Sequence, residues 1–217
     1  MSSTPPLMSE YQRDQWLSLT AIRRALEEIP AVERESLRSS LSEYLVFRRE
    51  LADFHSRHFH EHCRRACYET GLSACCGFES IITFFADQLI SCLLSEPADA
   101  EDLMRVLERP NTTGKCVFLG ADGCRWRLPP ISCAMFYCDQ AKDAVWRDDP
   151  DNTAAFEALR RREKDFTHPD KPVLFDDLER GFRQMGLQTP HMYYHSSPGL
   201  VLLKARAGIL DESLRIR

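Results

Sequence analysis

The placement of its cysteines is the feature that most constrains this chain. Eight of the nine cysteines fall into two sets that are well separated in the sequence. The N-terminal set is Cys63, Cys67, Cys75 and Cys76, and the C-terminal set is Cys116, Cys124, Cys133 and Cys138. Cysteines concentrated in this way form either disulfides or metal sites. We predict that all eight bind metal.

The cellular compartment bears on the choice between disulfides and metal. The stretch from Met1 to Glu10 has no basic segment leading into an apolar run, so we expect no secretory signal and a cytoplasmic location. Thiols in the reducing cytosol stay free unless a metal or a redox cycle uses them. At 217 residues, the chain is also long enough to bury a core without disulfides. Metal ligation is therefore favoured.

Charge and hydropathy exclude two classes of partner. The formal net charge is -5, and no basic block is present that would follow a phosphate backbone, so we expect no nucleic acid. The densest apolar run, between Ile81 and Leu94, is interrupted by Asp87 and Gln88 and is too short to cross a bilayer. We therefore expect no membrane segment. The predicted partner is a metal ion or cluster.

Apolar periodicity predicts a mainly α fold, or α+β, in which helices pack around the cysteine-rich metal site and a small β-hairpin. We expect a disordered lead, a single domain and a tail, at 1–10, 11–207 and 208–217. Within the domain we expect N-terminal helices at 11–62, a cysteine-cluster core at 63–138, and C-terminal helices plus a hairpin at 139–207.

Two helices are predicted before the cysteine core. The first runs from Tyr11 to Ile29, where apolar residues recur every three or four positions until Pro30. The second begins near Ala31 and continues through Cys63 and Cys67. These two cysteines would then lie one turn apart, within about 6 Å, where both sulfurs reach one metal ion. Two small buried residues on a core stripe are the alternative, which the six other cysteines disfavour.

Three histidines precede this cysteine pair on the same predicted helix. His55, His58 and His62 share one helical face, so they could ligate a metal or orient thiolates through hydrogen bonds. The alternative is a solvated helix surface that is rich in histidine. We favour the surface, because the cysteines already supply enough ligands for a closed site.

The adjacent pair Cys75-Cys76 suggests more than one site. Side chains of neighbouring residues diverge, so the pair suits two neighbouring sites or a polynuclear cluster better than one tetrahedral ion.

A helix is predicted from about Phe84, and Thr83 could cap it. The ninth cysteine, Cys92, falls within this helix and is predicted to be a buried apolar residue, outside the ligand set.

A β-hairpin is predicted between Cys116 and Leu128, with Asp122-Gly123 as its turn. In that register Cys124 lies near the tip and Cys116 lies opposite Pro129. Cys116 is then expected to lie closer to Cys133 than to Cys124. If the protein has two metal sites, this register groups Cys116, Cys133 and Cys138 with one of Cys75 or Cys76. Four aromatic residues are expected to wall the site or to serve as core: Phe118, Trp126, Phe136 and Tyr137.

Beyond the last cysteine, the pattern predicts helices at 151–166 and 173–186. A terminal hairpin is predicted from His191 to Lys204, with Ser-Ser-Pro-Gly as its turn. His191 and His195 would share a strand face, which we interpret as an exposed pair and not as a metal site.

The order of the cysteines resembles the YkgJ-type CxxCxxCC family of zinc- or iron-chelating proteins. Its most specific part is the C-terminal set, with Cys116-Val-Phe-Leu, Asp122-Gly123-Cys124 and Pro130-Ile-Ser-Cys133-Ala-Met-Phe136-Tyr-Cys138. The N-terminal set is more widely spaced than in that family, and Pro129 and Ala134 stand where arginine is common there. The resemblance implies a metal site and no particular reaction.

The cysteine spacing bears on which metal is bound. Structural zinc sites often contain Cys-x2-Cys knuckles, and this sequence has none, so we slightly prefer an iron–sulfur cluster to zinc.

Two other functions remain open. One is a cluster-dependent modification enzyme, since the cysteine region also resembles part of the flagellin lysine N-methylases. The other is a thiol redox sensor, in which Cys75-Cys76 or Cys63 and Cys67 form reversible disulfides. No catalytic residues are predicted, and whether the protein is an enzyme is left open.

Overall fold

A computed structural model of the chain describes residues 8–79, 81–147 and 149–216. The predicted fold class is confirmed, because this part of the chain is mainly helical and carries one two-stranded antiparallel sheet. The N-terminal elements are α1 (Glu10–Glu28), α2 (Ala31–Ser40), α3 (Ser42–His58), α4 (His60–Cys63) and a π-helical turn (Arg64–Tyr68). The middle elements are α5 (Phe85–Leu94), α6 (Pro97–Leu107), β1 (Leu119–Gly120), β2 (Gly123–Cys124) and α7 (Ile131–Ala134). The C-terminal elements are α8 (Asp139–Trp146), α9 (Pro150–Thr167), α10 (Leu174–Gln184), α11 (Tyr193–Ser196), α12 (Pro198–Ala207) and a 3₁₀ turn (Glu212–Leu214).

Helix α1 begins slightly earlier than predicted. The Ser9 hydroxyl accepts the backbone N–H of Gln12 at 3.1 Å, which caps the first turn. The helix therefore begins at Glu10, inside the stretch predicted to be a disordered lead; residues 1–7 of that lead lie outside the described residues. At its other end α1 terminates at Glu28, one residue before the predicted end at Ile29 and ahead of Pro30.

The second predicted helix is interrupted twice before Cys67. Leu41 separates α2 from α3, and Phe59 separates α3 from α4. Both residues are almost completely buried. The helix is therefore interrupted where these two side chains pack into the core, because tertiary packing overrides local helix propensity. Beyond α4 the chain widens into the π-helical turn, where the N–H of Glu69 donates to the carbonyl of Arg64 at 2.9 Å. Cys63 ends α4, and Cys67 lies in this wider turn.

Helix α5 is the central element of the fold. It contacts α1, α2 and α10, and its side chains are buried on nearly every face. A helix that is buried on nearly every face needs apolar residues on nearly every face, and this segment has the densest apolar sequence in the chain. Its N-terminus differs from the prediction, because Phe84 and not Thr83 precedes the first turn. The Thr83 hydroxyl instead accepts a hydrogen bond from the Gln15 amide of α1 at 3.1 Å.

The buried apolar residues form two clusters. The larger cluster joins α3, α5, α9 and α10, and contains Tyr44 packed edge-on against Phe175 with 5.5 Å between ring centroids. The smaller cluster joins α1, α6 and the hairpin, and contains Trp16, Phe118 and Trp126. Full burial of one such side chain stabilises a fold by roughly 1.5–3 kcal/mol. Cys92 packs against both clusters, which agrees with its predicted role as an apolar residue.

The hairpin has a different register from the predicted one. Leu119 pairs with Cys124 and Gly120 pairs with Gly123, so the two turn residues are Ala121 and Asp122. Gly123, which was predicted to occupy the turn, instead begins β2 with a φ of 108°. Glycine adopts this φ without steric strain. The shift brings Cys124 back from the tip and onto the paired strand.

The predicted terminal hairpin is wrong. Helices α11 and α12 occupy this segment, and Pro198 stands in the first turn of α12 after Ser197. Proline fits the first turn of a helix because its missing N–H has no partner there in any case. The Ser-Ser-Pro-Gly stretch is therefore a helix start, and Gly208 ends α12 in a left-handed conformation. The predicted tail folds back, since the N–H of Ile216 donates to the carbonyl of His195 at 2.9 Å.

The C-terminal helices enclose four titratable side chains, which we call the ionic cluster: Asp176, Glu179, His195 and Lys204. Each of them is at most 1% exposed. The Lys204 ammonium donates to Asp176 at 2.7 Å, and the His195 ring nitrogen Nδ1 lies 2.8 Å from the Glu179 carboxyl. These contacts join α10 to α11 and α12. His195 and His191 are both buried, so the prediction of an exposed histidine pair is also wrong.

No helix in the three described ranges is long and apolar enough to cross a membrane.

Candidate metal centre

All eight cysteines of the two sets line a single cavity of about 560 Å³. The cavity lies between the π-helical turn, the loop that follows it, the hairpin and α7. The four predicted aromatic residues also line it. Of these, Phe118 and Trp126 belong to the smaller apolar cluster, so they serve both as cavity wall and as core. The thiols of two distant stretches of sequence therefore face one space.

The loop after the π-helical turn folds back over Cys67. The carbonyl of Cys67 accepts the N–H of Ser73 at 3.1 Å, and its sulfur accepts the N–H of Ala74 at 3.1 Å. Gly71 and Ser73 both have a positive φ in this loop, of 71° and 38°. Glycine adopts such a conformation readily, whereas serine does so at a cost. This tight loop places Cys75 and Cys76 at the cavity.

Backbone hydrogen bonds join the two cysteine sets. The N–H of Cys116 donates to the carbonyl of Cys76 at 2.9 Å, and Gly77 forms an isolated antiparallel bridge with Lys115. The Lys115 ammonium also donates to the carbonyl of Leu72. The strand that leads into the hairpin is therefore aligned with the Cys75-Cys76 loop.

Asp87 and Arg48 hold the turn that carries Cys133. Asp87 accepts the N–H of Ile131 at 2.9 Å, at the start of α7, and Arg48 donates to the carbonyl of Pro129 at 2.6 Å. Burial raises the pKa of Asp87 to about 6, an effect that the N–H groups of Ile131 and Phe84 oppose. Sequence reasoning missed both residues, although a carboxylate within the densest apolar run was a signal of a buried polar role.

Four thiols that line the cavity and act on one another's pKa form what we call the first thiol group: Cys63, Cys67, Cys75 and Cys138. Burial raises the pKa of Cys63 to about 11, and the thiols of Cys75, Cys67 and Cys138 raise it further. Burial also raises the pKa of Cys75 to about 11, and the Cys138 thiol adds to this.

The other four thiols form the second thiol group: Cys76, Cys116, Cys124 and Cys133. Burial raises the pKa of Cys133 to about 12, with further contributions from the Cys124 and Cys116 thiols. Cys124 is exposed, yet the cavity walls surround its thiol closely enough to raise its pKa to about 11. Cys116 and then Cys76 are the thiols that act on Cys124. Burial raises the pKa of Cys76, followed by the Cys116 thiol and then by the Cys67 thiol of the first group.

The two groups differ from the grouping that the predicted hairpin register implied. The Cys138 thiol acts on the pKa of Cys63 and Cys75, whereas Cys124 and Cys116 are the thiols that act on Cys133. Cys124 lies near Cys116, whereas the predicted register separated the two at opposite ends of the hairpin. The shifted register accounts for the second difference, because it pairs Cys124 with a residue close to Cys116.

The positions of the thiols in the structure do not match those of metal ligands. All nine cysteines are free, and within the described residues no three His, Cys, Asp or Glu side chains are grouped so that they could hold a metal ion. Zinc–sulfur bonds of about 2.3 Å require four sulfurs roughly 3.8 Å apart. Binding at this cavity therefore requires the side chains to rotate inward.

The three predicted histidines have different surroundings. His55 and His62 line the cavity, whereas His58 packs against Phe54 with 4.7 Å between ring centroids. The His55 ring stacks with that of Tyr137 at 5.8 Å. Burial, followed by the charge of His60, lowers the pKa of His55, which favours its neutral form. The predicted helical face is thus divided between the cavity wall and the apolar core.

No family model matches the chain. No curated protein matches it, and no solved structure does. The similarity to the YkgJ-type family therefore rests on the order of the cysteines and on the residues next to them.

Proposed function

We propose that this protein is a cytoplasmic metal-binding protein whose eight clustered cysteines hold an iron–sulfur cluster or, alternatively, zinc. The observation that carries the proposal is the cavity of about 560 Å³ that all eight cysteines line, while Cys92 packs in the apolar interior. Soft thiolate ligands select zinc and iron–sulfur clusters among the metals that proteins use. No other set of side chains in the described residues brings as many such ligands to one space.

The surroundings of the thiols favour the iron–sulfur cluster over zinc. Phe118, Trp126 and Tyr137 are buried aromatic residues of the cavity wall, and they limit the access of water. Solvent exclusion is one of the ways in which a protein tunes a cluster. The absence of Cys-x2-Cys knuckles from the sequence points in the same direction.

Binding must displace protons from the thiols. Burial raises the pKa of Cys63 and Cys124 to about 11 and that of Cys133 to about 12, so these groups are neutral thiols near pH 7. Metal ions bind the thiolate, and each ligand that binds therefore releases a proton. Metal affinity should rise with pH in this protein.

The test is anaerobic purification followed by metal and acid-labile sulfide analysis. A brown protein with iron and sulfide in about equal amounts supports the iron–sulfur cluster. A colourless protein with stoichiometric zinc supports the alternative metal. Cys92→Ser serves as the control, because it should retain the metal content of the unchanged chain. Protein with neither metal nor sulfide, and with all eight thiols free, would refute the proposal.

A thiol redox sensor is a second candidate, because Cys75-Cys76 and the pair Cys63 and Cys67 line the cavity as free thiols. Oxidation of such a pair by a peroxide joins the two sulfurs and releases two electrons and two protons. This candidate predicts metal-free protein whose count of free thiols falls by about two when peroxide is added. Metal-loaded protein with an unchanged thiol count would exclude it.

A modification enzyme is a third candidate. The cavity volume of about 560 Å³ falls within the range of roughly 300–1,000 Å³ that is typical of small-molecule sites. Space therefore exists for a ligand beside a metal, although no glycine-rich nucleotide loop is present in the sequence.

A further inference from the structure

One buried cation in the wall of the cavity has no anionic partner. Arg48 of α3 lines the cavity and is 5% exposed. Its guanidinium donates to the Tyr44 hydroxyl at 2.9 Å and to the Pro129 carbonyl at 2.6 Å, and within the described ranges it forms no ion pair with a carboxylate. Burial raises the pKa of Tyr44, so its hydroxyl is as uncharged as the carbonyl. A buried charge without a counter-charge is costly to a fold.

Asp87 does not supply this counter-charge by direct contact. Its carboxyl oxygens accept the N–H groups of Phe84 and Ile131, at 3.1 Å and 2.9 Å. These two N–H groups oppose the rise in the pKa of Asp87 more strongly than Arg48 does. Tyr44 and Pro129 occupy two of the five N–H donors of the Arg48 guanidinium, and the other donors remain for a ligand.

The charge of the cavity wall has one sign. Of the described residues that line the cavity, none is an aspartate or a glutamate, although the chain as a whole has a net charge of -5. Arg127 also lines the cavity and is exposed. Arg125, two residues before it, lies outside the cavity wall and pairs with Asp102. The cavity therefore offers positive charge both in its buried wall and at its exposed edge.

We infer that the cavity binds a small organic carboxylate, whose anionic group pairs with Arg48 and whose apolar body lies against the aromatic wall. The guanidinium fork matches the two oxygens of a carboxylate. The buried rings of Trp126 and Tyr137 supply apolar surface in the same cavity, whose volume of about 560 Å³ suits a small molecule. The inference goes beyond the proposed function and does not depend on it, because none of the eight cysteines binds the carboxylate.

The helix that carries Arg48 forms a wall without thiols. Arg48, Leu51, Ala52 and His55 line the cavity from α3, and their spacing places them on one helical face. The two residues between Arg48 and His55 are apolar, and the His55 ring can form a hydrogen bond with a ligand. Two polar groups on an otherwise apolar wall are typical of a small-molecule site.

The test is isothermal titration calorimetry of the protein as purified with two probes, naphthoate and its uncharged amide, naphthamide. The probes share one apolar body and differ in the charge of the head group. We expect naphthoate to bind at least about tenfold more tightly, because only the carboxylate pairs with Arg48. Arg48→Gln should weaken naphthoate binding to the level of naphthamide and leave naphthamide binding unchanged.

Two further variants separate the cavity from the charge of the surface. Arg125→Gln is the matched control, because it removes a guanidinium next to the cavity and should bind naphthoate like the unchanged chain. Arg127→Gln should weaken naphthoate binding by less than Arg48→Gln does, since its exposed charge is screened by solvent. An equal loss of naphthoate binding in Arg125→Gln and Arg127→Gln would show attraction to surface charge and overturn the inference.

The unchanged chain decides the inference without any variant, since equal affinity for the two probes would overturn it. Circular dichroism shows whether Arg48→Gln is folded, because this variant also loses the contact with Pro129. If it does not fold, the two probes and Arg127→Gln decide. Metal analysis of the same samples tests the proposed function separately. Equal affinity for the probes, with a loss of metal in folded Arg48→Gln, would mean that Arg48 balances the charge of the metal centre and not that of a carboxylate.

Discussion

The thiol cavity and the ionic cluster are two polar regions inside one fold, and they satisfy their polar groups in opposite ways. The ionic cluster satisfies its polar groups internally, with an ion pair between Lys204 and Asp176 at 2.7 Å and a hydrogen bond between His195 and Glu179 at 2.8 Å; burial lowers the pKa of His195 to about 4, so its ring is neutral near pH 7. The eight thiols of the cavity form no disulfide. Paired buried charges hold elements together, whereas unpaired soft ligands around a cavity are available to bind. The difference separates a structural region from a functional one.

The position of each region in the fold fits this division. The ionic cluster lies between α10, α11 and α12, where its members are at most 1% exposed and out of contact with solvent. The cavity instead has exposed residues at its edge, including Tyr68 and Phe136, at 40% and 52%. A metal can therefore reach the thiols from solvent, while the ionic cluster is closed.

The largest expected effect comes from breaking the ionic cluster. Lys204→Met should lower the free energy of unfolding by about 3–5 kcal/mol, because it leaves Asp176 as a buried charge without its partner. Urea denaturation measures this loss. Lys142→Met is the matched control, since its partner Asp139 is solvent-exposed, and it should cost less than about 1 kcal/mol. Equal effects of the two variants would mean that the ionic cluster is not structural.

Removal of one thiol should have a smaller effect, and only in the presence of metal. Cys133→Ser should lower the free energy of unfolding by about 3 kcal/mol when free metal is at 100 times its dissociation constant, because the folded variant loses the stabilisation that bound metal provides. The metal-free protein should change little. Denaturation with and without metal measures the two values, and Cys92→Ser is the control. Full metal content and an unchanged melting temperature in Cys133→Ser would remove Cys133 from the ligand set.

The buried residue His191 predicts a pH effect of comparable or smaller size. Burial lowers the pKa of His191 to about 4, from its ordinary value of about 6.5. Between these values the unfolded chain binds a proton that the folded chain does not, so stability should fall as pH falls from about 6.5 to about 4. The contribution is at most about 3 kcal/mol.

His191→Phe cannot titrate and isolates this contribution. Any change in packing that it causes is the same at each pH, so the difference in unfolding free energy between the two proteins should vary with pH only through His191. The difference is measured by urea denaturation at several pH values. A difference that stays constant between pH 4 and pH 7 would show that His191 does not contribute in this way.

The smallest effect is expected at the surface between α3 and α9. Arg162 forms an ion pair with Glu50, and both side chains are almost half exposed. Exposed pairs of this kind contribute roughly 0.2–1 kcal/mol. Arg162→Gln should therefore lower the free energy of unfolding by less than about 1 kcal/mol and leave metal content unchanged. A loss as large as that of Lys204→Met would contradict the distinction between the two kinds of ion pair.

Helices and their boundaries were readable from the sequence where proline or apolar periodicity marks them. Pro30 and the preceding periodic residues located α1. Proline led to a wrong prediction at α12, where a hairpin turn was expected. Pro198 within Ser-Ser-Pro-Gly is compatible with either a turn or a helix start. The burial of the preceding His195 against α10 favours the helix, and that contact is not visible in the sequence.

The candidate site was predictable in composition and not in arrangement. The eight cysteines that line the cavity are those that the sequence singled out. Their division into two groups depends on the hairpin register, which a shift of one residue at Gly123 altered. It also depends on Asp87 and Arg48, whose contacts with the turn around Cys133 span distant parts of the chain. Long-range contacts of this kind leave no local pattern in a sequence.

The most direct test of the central claim is X-ray absorption spectroscopy at the edge of the bound metal. For metal held by these thiols, we expect a first coordination shell of about four sulfur atoms, at about 2.3 Å for zinc. Metal-loaded Cys92→Ser should keep the same shell and the same metal content, because Cys92 packs in the apolar interior outside the ligand set. A shell dominated by oxygen or nitrogen in the unchanged protein would contradict ligation by the eight cysteines.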